Sequence, residues 1–296
     1  MERSSRAGSL RSTSKLLAAA LFAAAGFAAS VCVANEQQEL RVCADPNNLP
    51  QSNKEGEGFE NKIAEALARD LGRTLKYTFF PQRMGFVRNT LRARDETDQH
   101  YKCDVIIGVP KGYELTATTR PYMHSTYALV FRETPELSSV KTPDDLLKLP
   151  ALRKLRIGAF AGSPGADWLQ MNGLLAQAQF YPQQSGDPAE HPASIIGRDL
   201  AAGNIDVAIV WGPVAGFLVD HHSGDDKWVT VPFQPHPKVK FNYEIAMGVR
   251  FGEKDWRDTL DQWIATHQSE IDQILKSYGV PLLPLTTQTA KADDDD

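Results

Sequence analysis

The stretch 205–218, IDVAIVWGPVAGFL, constrains this chain more than any other. Its first six residues are apolar at every position but Asp206. Such a run is too short for a buried helix and too uniform for a strand with one wet face. It predicts a strand covered on both sides, as in a parallel sheet. The carboxyl edge of a strand in an α/β sheet is where ligands are placed. The residue at that edge is Trp211, and Gly212 and Pro213 then open a helix. A tryptophan there is neither a charged ligand anchor nor a group that moves protons.

The same grammar recurs along the chain. Residues 39–44 predict a strand, and ADPNNLPQSNKEGEG a turn-rich loop. Phe59, Ile63, Leu67 and Leu71 recur every four residues, with Gly72 placed to end an amphipathic helix. LKYTFF predicts a strand, RMGFVRNTLRA a helix, and DVIIGV and YALVF (127–131) two more strands. After residue 131 the pattern restarts. LRIGAF predicts a strand, followed by a helix capped by Ser163 with Pro164 at its first position. ASIIGRDLAAG predicts a helix, IDVAIV and YEIAMGV strands, and 255–278 two helices. The fold class is therefore α/β, with strands and helices in alternation.

The ends lie outside this grammar. Arg3, Arg6, Arg11 and Lys15 precede the uncharged run LLAAALFAAAGFAA, and SVCVA supplies small residues for cleavage after Ala34. Residues 1–34 therefore predict a secretory signal peptide and a periplasmic mature chain, without stable membrane insertion. The remaining 262 residues carry 28 basic and 36 acidic side chains, a net charge of −8. An acidic chain with no basic stripe argues against nucleic acid. Residues 286–296, ending in four aspartates, predict an acidic flexible tail. Cys43 and Cys103 remain after cleavage. An oxidising compartment favours a disulfide between them. Against it, the two residues close one strand and open another, which would set them at opposite ends of parallel neighbours. Both a bridge and two small buried hydrophobes stay open.

Little else in the sequence carries chemistry. Neither a phosphate-binding nor a dinucleotide-binding glycine motif is present. AGSPG lacks the first glycine of a nucleophile elbow, so Ser163 reads as a cap. The seven histidines are scattered, and His221 and His222 are adjacent with no third ligand at a metal spacing. DPNNLP lacks the alternating oxygen ligands of a calcium loop. The expectation is a non-enzyme with no metal and no cofactor.

The stretches GFENKIAEALARDLG and CDVIIGV, with a second α/β half and a return to the first, resemble type II periplasmic solute-binding proteins over about residues 39–285. A narrower resemblance rests on LRVCADPNNLP, PQRMGFVRNTL, CDVIIGVP, TTRPYMHSTYALVFR, IDVAIVWGPVAGF and ILKSYGVPLLPL. These resemble the MxaJ/XoxJ group, encoded with PQQ-dependent methanol dehydrogenases of methylotrophic bacteria. The resemblance implies two lobes, each a central mostly parallel sheet flanked by helices. The first would be discontinuous (35–131 with 235–285) and the second would span 132–234. In amino-acid-binding relatives an acid stands where this chain has Trp211, and a base near Leu115; here Arg120 is displaced from that second position. The implied cleft therefore lacks both charged anchors for a zwitterion. Its expected lining is Asn47, Asn48, Gln51 and Ser163 with Tyr122, Tyr127, Trp211 and Phe217. The implied partner is a PQQ-dependent methanol dehydrogenase, in an immature form or with its cytochrome c. A transporter-linked receptor for a small non-amino-acid solute is the alternative.

Overall fold

The computed structural model describes residues 39–183, 190–222 and 224–286. The expected signal peptide and residues 287–296 of the expected tail lie outside these. The strands are β1 (Glu39–Ala44), β2 (Asn47–Asn48), β3 (Ser52–Asn53), β4 (Thr74–Phe79), β5 (Val105–Pro110), β6 (Ala117–Arg132), β7 (Ile157–Phe160), β8 (Ala178–Tyr181), β9 (Val207–Trp211), β10 (Trp228–Pro232) and β11 (Asn242–Val249). The α-helices are α1 (Phe59–Asp70), α2 (Phe86–Asn89), α3 (Pro143–Leu147), α4 (Pro164–Met171), α5 (Pro192–Ala201), α6 (Gly212–His221) and α7 (Lys254–Ser277). No helix among the described residues is long and apolar enough to cross a membrane.

Strand order is β4-β1-β5-β11-β6-β9-β7-β8, with β10 also on β6, and β2 and β3 pair as a separate hairpin. The ladder β1/β5 is parallel, as are β7/β8 and β7/β9. Around the middle the sheet turns antiparallel, because β11 runs against β5 and β6, and β6 against β9 and β10. The sheet is thus mixed rather than mostly parallel. The chain returns through β11 without the helical crossover that a parallel neighbour would need.

The pivotal strand is β6, sixteen residues long where only 127–131 read as a strand. Residues 117–126 pair with β11, and 127–132 with β9 and β10. The first part is polar in sequence, which hides its strand character. Its hydroxyls find partners far along the chain: Thr119 Oγ1 accepts from the Met247 amide, Ser125 donates to the Pro281 carbonyl and Thr126 to that of Phe233. In the second part the side-chain period of two divides the strand between two cores. Leu129 and Phe131 join Ile157, Trp168 and Phe233, while Ala128 and Val130 join Ile196, Leu200 and Leu218. β9 divides likewise, Val207 and Ile209 against Ala208 and Val210. The strand expected to be covered on both faces is so covered. A further core gathers Leu40, Val42, Ile63, Leu67, Val105 and Ile107 under α7.

Two helices depart from expectation. The 83–93 segment yields only the four residues of α2. Gly85 precedes it at φ 90°, and Thr90 turns its hydroxyl back onto the Phe86 carbonyl. Residues 254–277 form one helix, not two. Its polar middle is held by packing partners: Gln268 donates to the Tyr122 carbonyl and to Asp272.

Cys43 and Cys103 are bridged, with Cα atoms 5.4 Å apart. The separation expected from parallel strands does not arise, because the register is offset. Val42 faces Val105 and Cys43 faces Ile106, so the end of β1 meets the start of β5.

Candidate functional site

Trp211 closes β9 and stands at the N-cap position of α6. Register sets Tyr127 opposite it, and their rings lie 5.6 Å apart. Tyr243 of β11 meets the same indole edge-to-face at 5.8 Å. Trp211 is half-buried and also packs against the core under α7. Gly212 is required beside it, since a Cβ there would fall 2.4 Å from the Thr126 carbonyl oxygen. Burial holds the Tyr127 hydroxyl well above its ordinary pKa, so it stays neutral. The charged side chains next to this aromatic group are Lys240, whose Nζ lies 4.7 Å from the Tyr243 ring centre, and Asp167, which adds to burial in raising the Tyr243 pKa. The trio offers apolar faces with a few neutral donors, a surface for aliphatic, aromatic or peptide groups.

The loop after β1 forms a second polar region. Asp45 accepts from the Asn47 amide at 2.9 Å and from that of Gln82 at 2.5 Å. Asn48 donates to Gln82 Oε1 at 3.2 Å. The Gln51 side-chain oxygen is buried with no partner among the described residues, while the Gln51 backbone carbonyl accepts from the Glu60 amide at 2.9 Å. Glu60 itself went unnoticed in the sequence, where it reads as an ordinary acid of a helix's first turn. The fold buries it against the bare backbone of β5: a Cβ on Gly108 would fall 2.1 Å from its Oε1. Burial first, and the charge of Asp45 second, push its pKa up to about 8. A glycine inside DVIIGV was the signal for this close approach.

The remaining expected residues go elsewhere. Tyr122 is fully buried in the core under α7, its hydroxyl unpartnered. It was expected on a cleft wall, but it packs into the core that residues of α1 and α7 build. Phe217 lies apart from Trp211, its ring stacked on His221 at 4.2 Å and facing His191 at 5.8 Å. These three line a cavity of about 260 Å³ with His222 and Trp228. Ser163 caps α4, accepting from the Ala166 amide at 3.4 Å. Leu115 is exposed beside Arg92, and the Arg120 amide is taken by Asp261. Neither position presents a cation to Trp211. His221 and His222 hydrogen-bond to backbone carbonyls of Phe217, Val219 and Asp226. Among the described residues, Asp70, His267 and Glu270 bring potential metal-ligand atoms within 4.8 Å of one another. Arg69 already bridges Asp70 and Glu270 there, supplying the positive charge a cation would bring.

No family model matches the chain. A solved structure does: periplasmic binding protein XoxJ from Methylobacterium extorquens AM1 is 36% identical, with 83% of this chain and 99% of that one covered and a TM-score of 0.66. This chain belongs to the MoxJ/MxaJ/XoxJ family. MxaJ from Methlophaga aminisulfidivorans MPT is 26% identical over 82% of this chain and all of that one, with a TM-score of 0.65. Protein MoxJ of Paracoccus denitrificans is 29% identical over 264 residues, 83% of this chain and 89% of that protein. A wider ring of structures shares only the fold. It includes an ancestral cationic amino acid solute-binding protein, 18% identical with a TM-score of 0.61. In this MoxJ/MxaJ/XoxJ member, the edge of β9 is given to an uncharged aromatic trio.

Proposed function

We infer that this chain is a non-catalytic periplasmic accessory protein that binds a PQQ-dependent methanol dehydrogenase and assists its maturation or activity. The family supports the setting, since its members are named with the Mox, Mxa and Xox systems and XoxJ is described as a periplasmic binding protein. The observation that carries the reading is the trio Trp211, Tyr127 and Tyr243 at the carboxyl edge of β9. A receptor for free amino acids relies on charge-assisted bonds to ammonium and carboxylate. An aromatic face with neutral donors suits an apolar peptide segment, and incompletely folded chains expose such segments. The lobes would span 35–131 with 235–285 and 132–234, with β6 common to both, and the loop at Asn47, Asn48 and Gln51 would offer hydrogen bonds to a bound backbone.

The test is a titration of wild type and Trp211→Ala against cofactor-free and mature methanol dehydrogenase, with circular dichroism as the folding control. Wild type should prefer the cofactor-free form. Trp211→Ala should weaken binding by roughly tenfold or more while staying folded, as for an interface tryptophan contributing about 2 kcal/mol. Equal binding by both proteins would remove Trp211 from the interface. Absence of binding to either form, with an intact dehydrogenase in a deletion strain, would favour a transporter-linked receptor for a small non-amino-acid solute.

A further inference from the structure

Four arginines fall within twelve residues of the β4–β5 connection: Arg83, Arg88, Arg92 and Arg94, with no acidic residue between them. All four are exposed. Elsewhere most described arginines lie against a carboxylate: Arg41, Arg69, Arg132, Arg156, Arg198, Arg250 and Arg257 do, while Arg73, Arg120 and Arg153 stand singly without an ion pair. Among the described residues none of the four lies against a carboxylate. Arg92 donates instead to the Leu115 carbonyl at 2.7 Å and lies 5.9 Å from the Phe251 ring centre. Arg94 donates to the Gln99 carbonyl at 2.6 Å and covers Tyr101 at 4.1 Å. These contacts hold the Arg92 and Arg94 guanidinium groups without an ion pair among the described residues, with exposed Asp95, Glu96 and Asp98 following directly in sequence.

Apolar side chains rise through the same surface. Met84 is 99% exposed, Phe251 59% and Leu115 44%. Arg92 ties Leu115 to Phe251. Arg88 folds back over Gly85, where an added Cβ would sit 3.3 Å from its Nη2, one residue from Met84. Arginine and methionine are enriched in protein interfaces, and the guanidinium fork matches carboxylates in bidentate fashion.

The geometry points to a docking surface for an acidic protein, centred on Arg88 and Arg92 with Met84, Leu115 and Phe251 as apolar contacts. An anionic membrane fits less well. The apolar residues stand on three separate loops, and α2, at four residues, offers no amphipathic face to lie in a bilayer. The inference rests on the accessory reading above for the identity of the probes.

The experiment uses the full mature chain, purified methanol dehydrogenase and its cytochrome c, and phosphatidylglycerol vesicles. Two double variants are compared with wild type, Arg88→Glu/Arg92→Glu and Arg83→Glu/Arg88→Glu. The second spares the Leu115 contact should the first fail to fold. Wild type should bind one of the two proteins with an affinity that falls as salt is raised, and both folded variants should weaken it tenfold or more. Wild-type binding left unchanged by the variants would overturn the surface while leaving the accessory reading in place. Variants that lose only vesicle binding would also overturn it. Binding to neither protein would overturn the surface, while the accessory reading stands or falls on the cofactor-free dehydrogenase and the deletion strain.

Discussion

At the scale of single residues, Glu60 is the position where the fold works hardest against ordinary chemistry. Its pKa is raised from 4.5 to about 8, so the folded state holds the proton more tightly than the unfolded chain does. Stability is therefore greatest below the unfolded value and falls as pH rises toward about 8. The N-terminal dipole of α1 favours the anion and softens the loss, which is on the order of 5 kcal/mol from the shift alone. Glu60→Gln keeps the shape and removes the charge. Melting curves from about pH 5 to about pH 9 should show wild type losing stability and the variant holding steadier. Parallel curves would refute the buried-acid assignment. Trp211 makes a different case. Its place at the end of a buried strand was legible from IDVAIVW, because burial on both faces leaves a sequence trace. Its aromatic neighbours were only half legible: Tyr127 follows from the strand pattern, whereas Tyr243 arrives through the β11 register. Tyr122 and Phe217 show the limit, since the face a side chain takes depends on which element covers it. A thermal-shift screen of the common amino acids should show no stabilisation, because Trp211 takes the place of the acid that would meet an ammonium group, Leu115 is apolar where the base would stand, and the nearby Lys240 lies over the Tyr243 ring. A clear shift with any of them would reinstate a zwitterion site.

At the scale of elements, the close passage of α6 against the turn after α7 is a demanding contact. A Cβ on Gly216 would fall 2.4 Å from the Gly279 carbonyl oxygen. Helix propensity alone favours Gly216→Ala by about 1 kcal/mol. The clash is with backbone, which cannot swing aside, and overpacking typically costs about 1–3 kcal/mol. Destabilisation is the expected sign, read from a urea midpoint that moves down. An unchanged or raised midpoint would mean that α6 shifts freely. Most elements were readable because apolar spacing and glycine or proline punctuation agree, as in α1, α4 and β9. Those that were not share a reason. The first part of β6 and the middle of α7 are polar runs whose groups are satisfied by distant partners such as Pro281, Phe233 and Tyr122. Local sequence carries no record of a partner more than a hundred residues away.

At the scale of the whole molecule, the bridge between Cys43 and Cys103 closes a loop spanning 60 positions. In the chain-entropy account such a crosslink stabilises by about 4 kcal/mol, acting on the unfolded state. Intact-mass analysis after denaturation without reductant should find no alkylatable thiol in the mature chain. Cys43→Ser/Cys103→Ser should melt several degrees lower. Two free thiols would return the pair to plain hydrophobic packing.

The long strand β6 has a consequence for how the molecule comes apart. Its residues contribute to the core under α7 and, further along, to both cores around β9. It is a common wall, so demolishing the rooms on one side strips a surface from the other. Neither half has a complete sheet to retreat to if its neighbour melts. A gene cut inside 117–132 would yield two fragments, each missing part of its own interior. Such fragments should be found only together or not at all.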